Sequence, residues 1–472
     1  MVESRKNICL LCSLGCGLIV DLECDEPVNL EYDTENGVNR GKLCAKGNYI
    51  LELLNDPLRL DVPKKDGKPI RWEQAADEVA DALRAVQGGK TAAVVLSGDA
   101  SCEDVGLAFA FAADCTGAGK AAISLPTGDD KVVSALAETS GGVAQATLDD
   151  VENSVCTIAV GDPFARCPVI AGRVLAARNA ARENSLNVVS RESNMTSRFA
   201  ATHLLGPERD SMLDLVAAVV EARGGAKEKW LNQLVKGVDA GSDAQKLAKS
   251  FVESERAVVV LSTDDPVVAQ LANALVKAAG DTKGLFALHD YGNARSIAEI
   301  SSGDVSAEDV IKSAARGEIE VLLVLGADLV SSYPNLDVNG ALSEVQLLVA
   351  GAPFPNKTTS LAGMVLPTAL WIEQDGTFNG AQCQRVVAPP GGAMSYGDIL
   401  KAVAKATGVE LRAHEAPEAL AEAALDEGKA AAIAKAAREE AVTSPVVSTA
   451  TCFADGSLTD RVSWVKMVER VP

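Results

Sequence analysis

Five cysteines fall within the first 44 residues, and four of them are spaced as ligands of a single metal centre. Cys9, Cys12 and Cys16 read C-x2-C-x3-C, and Cys44 follows after 27 residues. Close spacing lets one loop turn three sulfurs toward a common point, and the distant fourth closes the site. Thiolates gathered in this way repel one another unless a soft metal centre neutralises them. A structural zinc site is the simpler alternative, but zinc sites usually show two paired C-x2-C knuckles, and here the second half is a single cysteine. The spacing favours a [4Fe–4S] cluster on Cys9, Cys12, Cys16 and Cys44. Cys24 breaks the pattern and is expected to be a packed thiol. Cys102, Cys115, Cys156, Cys167, Cys383 and Cys452 are scattered singly, as small buried hydrophobes usually are.

The rest of the chain must supply a body for this centre. At 472 residues it is too long for one ordinary core, and 47% hydrophobic residues provide for two or three. No apolar run approaches the roughly 18 residues of a membrane span, and the N-terminus shows no signal pattern. A cytoplasmic protein without membrane insertion is therefore expected, in which eleven cysteines do not read as a disulfide framework. A formal charge of −21 argues against nucleic acid and would suit a basic redox partner.

Short β-rich runs alternate with amphipathic stretches along most of the sequence. Trp72 opens a helix through about Val86 after a Lys/Gly/Pro-rich turn. Strands are expected at Ala92–Leu96, Ala121–Leu125, Cys156–Val160, Asn187–Ser190, Ala257–Leu261, Val321–Leu325 and Val345–Val349. Helical patterns cover Pro168–Arg182, Ser211–Ala222, Pro266–Ala279 and Ala307–Ala315. This alternation predicts α/β architecture, with parallel sheets covered on both faces. Two strands run into glycine turns, at Gly161-Asp162 and Gly326-Ala327-Asp328, where a ligand could approach the backbone at a sheet's carboxyl edge. No complete G-x-G-x-x-G or P-loop accompanies them.

The fourth cysteine lies in Arg40-Gly41-Lys42-Leu43-Cys44-Ala45-Lys46-Gly47. With C-x2-C-x3-C before it, this segment resembles the N-terminal cluster domain of the molybdopterin oxidoreductase superfamily, which includes formate dehydrogenases, nitrate reductases, formylmethanofuran dehydrogenase and the large iron–sulfur subunit of respiratory complex I. The resemblance extends over about residues 5–408. Gly161 to Leu215 is similar to the family's second α/β domain. Gly326-Ala327-Asp328, Leu366-Pro367-Thr368 and Glu373-x-x-Gly376-Thr377-Phe378-Asn379 are similar to its first, resuming after an insertion. The implied organisation is a cluster domain at 1–58, a Rossmann-like α/β domain at 59–135 plus 320–410, an inserted α/β domain at 136–319 and a helical, irregular tail at 411–472. By the same resemblance Lys46 would lie between cluster and pterin and assist electron passage. Taken alone it reads as a solvated lysine near a negative cluster.

Catalytic members hold molybdenum or tungsten between two pterins, commonly with a protein Cys, selenocysteine or Ser. That ligand would fall near Ala121–Gly128, where no cysteine lies; Ser124 is the available oxygen, and Cys115 comes a few residues early. As an ordinary strand serine, Ser124 would be satisfied by backbone, and Cys115 would be a buried thiol at a helix end. His203, His289 and His414 are the only histidines, and none neighbours this segment. The pterin contacts implied at Gly161, Asp162, Gly326, Asp328, Gly376 and Thr377 look vestigial. Val189-Ser190-Arg191 lacks the aspartate that commonly faces the guanine edge, and Asn379–Arg385 departs from the usual Glu-Gly-Arg continuation. The C-terminal domain that caps the pterins is also not evident. The expectation is an iron–sulfur electron-transfer subunit, close in character to the complex I large subunit, with flavin- or ferredoxin-type subunits as partners. The alternatives are a catalytic Mo/W-pterin subunit of formate dehydrogenase or formylmethanofuran dehydrogenase type, and a structural scaffold.

Overall fold

The computed structural model of the chain describes residues 2–86, 89–116, 119–124, 129–140, 143–294, 296–297, 306–411 and 427–438. The expected tail beyond 411, apart from the helix Glu427–Arg438, lies outside them, as do Leu125–Gly128, His414 and Cys452. The chain divides into two compact units: one holds residues up to 130 and from 290 to 411, and the other holds 131–289 with the helix at 427–438.

The first unit begins with an antiparallel sheet of β1 (Val2–Ile8), β2 (Gly17–Glu23) and β3 (Glu26–Tyr32), with β2 in the middle. Leu18, Val20 and Leu22 alternate along β2 and are buried on one face, the period-2 pattern of a half-covered strand. A short hairpin of β4 (Lys64–Lys65) and β5 (Lys68–Pro69) follows, then β6 (Thr91–Ser97) and β7 (Lys120–Ser124).

In the second unit β8 (Cys156–Gly161), β9 (Ser185–Ser190), β10 (Thr202–Leu205), β11 (Ala257–Ser262) and β12 (Lys283–Ala287) form an all-parallel sheet in the order β10-β9-β8-β11-β12. The chain then returns to the first unit for β13 (Ile319–Leu325), β14 (Leu347–Ala352), β15 (Met364–Pro367), and the hairpin of β16 (Gly376–Phe378) and β17 (Ala381–Cys383). Its large sheet runs β5-β4-β15-β14-β13-β6-β7, parallel from β15 to β7.

Central strands of such sheets are buried on both faces, which is why β6 and β13 read as continuous apolar runs. Val94, Leu96, Leu323 and Leu325 enter one core with helices Trp72–Ala85, Cys102–Asp114 and Tyr396–Thr407. Val95, Leu322 and Val324 enter another with helices Ala307–Ala315 and Val338–Ser343. Ser101 and Ser306 start two of these helices with complete capping boxes to Asp104 and Asp309.

Each large sheet reverses its strand order once near the middle, between β6 and β13 and between β8 and β11. A glycine with left-handed backbone lies at both reversals: Gly326 at φ +84° and Gly161 at φ +75°. A Cβ on Gly161 would stand 1.9 Å from the Ser262 carbonyl oxygen, so the approach of β11 as well as the dihedral demands glycine here. Gly161→Ala is expected to destabilise the second unit by roughly 1–3 kcal/mol. Denaturant unfolding checks this, and an unchanged midpoint would refute it.

Candidate metal centre and sheet-edge sites

The loop between β1 and β2 carries Cys9, Cys12 and Cys16, and a backbone hydrogen bond from Cys9 N to Cys16 O (2.8 Å) closes it. Gly15 turns it with φ +68°, and a Cβ there would meet Asn379 Nδ2 at 2.7 Å. Cys44 arrives from the other side as the residue before the short helix Ala45–Asn48. Cys9, Cys12 and Cys16 are buried and Cys44 is half-buried.

The four thiols are close enough to govern one another's ionisation. Burial, then Cys12 and Cys44, push the Cys9 thiol well up; burial, then Cys12, Cys9 and Cys44, do the same to Cys16. Cys44 is raised by burial and Cys12. Opposing this, the Leu11 backbone N–H points at Cys9 sulfur, those of Gly47 and Lys46 point at Cys44 sulfur, and the Lys46 charge favours both thiolates. Burial and mutual repulsion thus favour the protonated thiols, and a cationic centre would offset both. Among the described residues no three His, Cys, Asp or Glu side chains are grouped to hold a single metal ion.

Lys46 differs from a solvated surface lysine: it is 4% exposed, and its Nζ donates to Leu11 O across the cysteine loop (3.4 Å). The helix start at Cys44 turns Lys46 inward and leaves Asn48 to cap the Leu43 and Cys44 carbonyls. Cys24 also departs from the expected packed thiol. It is exposed at the β2–β3 turn, where it and Asp25 take φ of +53° and +66°. A two-residue hairpin turn with both dihedrals positive points its side chains into solvent. Of the scattered cysteines, Cys156, Cys167 and Cys383 are buried, whereas Cys102 and Cys115 are half-buried.

Residues far along the chain fasten the cysteine loop. Trp371 Nε1 donates to Ile8 O (2.7 Å), Asn7 Nδ2 to Gln384 O (3.0 Å) and Asn379 Nδ2 to Ser13 O (3.1 Å). Asn293 accepts from Asn379 N, and Gly292 N donates to Leu10 O. Asn39 clamps Gly17 from both sides, accepting from its N–H and donating to its carbonyl, each at 2.9 Å. Only Asn379 of this set lay in a recognisable motif; single Asn and Trp residues in loops give no signal until the loops meet.

The sheet edges hold the other predicted residues. Asp162 accepts hydrogen bonds from Ala165 N, Met195 N, Thr196 N and Thr196 Oγ1. Asp328 accepts from Ser331 N and Oγ, Lys357 N, Thr358 N and Thr358 Oγ1. In each unit, then, an aspartate caps its own helix and ties down the loop after the neighbouring strand. Gly326 packs against Tyr396 Oη and Ser97, Gly376 against Ser101, and Thr377 bonds Glu103 through N and Oγ1 (2.8 and 2.6 Å).

Ser124 ends β7 beside Ser97 of β6. Among the described residues both hydroxyls are buried without a well-formed hydrogen bond, as is that of Thr368 after β15, so Ser124 has no backbone partner there of the kind expected for a strand serine. Tyr333 and Tyr396 stand nearby, hydrogen-bonded to Asp130 and Asp99 at 3.0 Å each. Ser190 at the end of β9 is occupied by Glu192 O and His203 Nε2. His203 is half-buried, with its pKa lowered by that burial, and His289 is buried.

A sequence profile described as "Molybdopterin oxidoreductase" matches residues 59–406, and one described as "Molybdopterin oxidoreductase Fe4S4 domain" matches residues 2–56. The NADPH-Fe(3+) oxidoreductase subunit alpha of Geobacter sulfurreducens is 24% identical over 89% of this chain and 58% of its own length. An NADH-quinone oxidoreductase subunit of Rhizobium meliloti is 25% identical over 80% of this chain and 50% of its own length. The chain thus spans little more than half the length of these relatives. Among solved structures, acetylene hydratase from Pelobacter acetylenicus shares the fold with a TM-score of 0.66 at 16% identity, covering 86% of this chain and 69% of that one.

Proposed function

The chain belongs to the molybdopterin oxidoreductase family and carries its [4Fe–4S] domain, and from that premise we propose that it is an iron–sulfur electron-transfer subunit of a larger oxidoreductase assembly. Cys9, Cys12, Cys16 and Cys44 ligate the cluster, and Lys46 supports electron passage from its buried position. The carrying observation is the meeting of four thiols in one pocket beside the buried Lys46, whose Nζ bonds Leu11 O across the cysteine loop. Zinc sites usually pair two C-x2-C knuckles around one ion, whereas here a single distant Cys44 closes the pocket. A cluster spreads the same four sulfurs around a larger body.

This reading leaves the α/β units as scaffold and docking surface, with the other redox subunits, of flavin or ferredoxin type, supplying donor and acceptor. It is supported by the state of the sheet-edge residues. The Asp162 and Asp328 carboxylates are filled by donors of their own chain, and Gly161 and Gly326 are crowded by Ser262, Tyr396 and Ser97. One observation favours the rival, a Mo/W-pterin catalytic subunit: the buried hydroxyls of Ser97, Ser124 and Thr368 at the carboxyl edge of the first large sheet, which have no well-formed hydrogen bond among the described residues. Ser124 would be the protein's oxygen ligand there, and the metal–pterin group would supply two-electron chemistry.

Elemental analysis of the anaerobically purified complex, normalised to this subunit, separates the two. About four Fe with no Mo or W is the expected result. One Mo or W per chain would overturn the electron-transfer reading and make this the catalytic subunit.

A further inference from the structure

Resting on that electron-transfer reading, we propose that the cluster exchanges electrons through the surface around Cys44, with a one-electron carrier protein whose rim is acidic. Cys9, Cys12 and Cys16 are only 5–6% exposed, whereas Cys44 is half-buried, so the pocket thins toward solvent on one side. That side is flanked by half-buried Leu43 and Ala45 and by exposed Lys42. Tyr32, 51% exposed, is joined to it directly: its hydroxyl donates to Asn48 Oδ1 (2.8 Å), and Asn48 Nδ2 donates to Cys44 O (3.0 Å). An apolar, partly aromatic surface thus lies over the one ligand nearest water.

The charge beside Cys44 along the chain opposes that of the molecule. From Asn36 to Leu51 the exposed charges are those of Arg40 and Lys42, Lys46 being buried, and there is no Asp or Glu, although the whole protein has a formal charge of −21. Overall charge would draw a basic partner from a distance, but in physiological salt fields fade over about 8 Å. Contact geometry is therefore set by the charges at the contact itself. Electron carriers meet through small, weak interfaces oriented by complementary charge, and an acidic rim complements Lys42 and Arg40. The reaction is the loss of one electron by the reduced cluster and its gain by the carrier's metal. No bond forms and no proton moves.

The test uses the full chain, reduced with dithionite and mixed in stopped flow with oxidised rubredoxin, an acidic one-electron acceptor, or with ferricytochrome c, a basic one. Lys42→Glu is expected to slow rubredoxin reduction by roughly three- to tenfold at low salt and to speed cytochrome c reduction. Lys401→Glu, an exposed lysine on the α/β body, is expected to change neither. The cluster's EPR signal and potential serve as the check that Lys42→Glu leaves the centre intact. Unchanged rubredoxin kinetics with an intact signal would overturn the docking surface alone. A wild-type cluster that dithionite cannot reduce would overturn the electron-transfer reading itself, before any kinetics are compared.

Discussion

Cys44→Ser is expected to take the chain from about four bound Fe to three or fewer and to abolish or convert the reduced-cluster EPR signal, while Cys24→Ser leaves both unchanged. The contrast follows from position. Cys44 contributes its sulfur to the same pocket as Cys9, Cys12 and Cys16, where Gly47 and Lys46 N–H groups are already turned to receive a thiolate. A serine hydroxyl there is a harder, less acidic donor and matches iron–sulfur chemistry poorly. Cys24 lies at an exposed hairpin turn with no part in that pocket. Cluster loss in the Cys24 variant would sink the ligand assignment; so would full iron content in the Cys44 variant.

Glu373→Ala is expected to be the most damaging single change outside the cysteines, costing about 3–5 kcal/mol of stability. Arg59 meets Glu373 through two parallel hydrogen bonds, Nη1 to Oε1 at 2.8 Å and Nη2 to Oε2 at 2.7 Å, with side chains only 6% and 3% exposed. Glu373 also receives Leu370 N (2.8 Å), and the guanidinium lies 5.3 Å from the Phe354 ring centroid. Among the described residues Arg59 Nε is already buried without a partner, so removing the carboxylate leaves the guanidinium without a counter-charge. Denaturant titration of the purified chain gives the number. The exposed Arg5–Glu3 pair is the control: Glu3→Ala should leave the unfolding midpoint where it was.

How far the sequence disclosed this structure depended on whether a signal was local. The runs Ala92–Leu96, Cys156–Val160, Ala257–Leu261 and Val321–Leu325 are strands because an uninterrupted β-branched and aliphatic run has few alternatives between two helical patterns. The sheet of β1 to β3 was not visible in the same way, since exposed β3 reads as a polar loop and only β2 alternates cleanly. Val345–Val349 was placed two residues early because Leu347 through Ala352 ends in small residues that carry no strand signal. The cysteine spacing and the Lys46 motif pointed to the pocket, but the burial of Lys46 and the exposure of Cys24 are consequences of a helix start and a hairpin turn. Neither is written in residue type. The occupation of Asp162 and Asp328 was likewise hidden, because their partners, Thr196 and Thr358, lie about 30 residues downstream.

The stitching of the cysteine loop to remote residues also sets an order of events at birth. Ile8 and Trp371, joined by one hydrogen bond, are 363 positions apart. At a translation rate of about 5–20 residues per second, roughly 20 to 70 s separate the emergence of the loop from that of the residues that cover it. During that interval Cys9, Cys12 and Cys16 are open to whatever delivers iron and sulfide, and equally open to oxidants. Once Trp371, Asn379 and Gln384 have closed over them, delivery would require reopening part of the first α/β unit. The finished protein should therefore resist reconstitution far more than its nascent chain does, and apoprotein purified aerobically should regain its cluster efficiently only after partial unfolding.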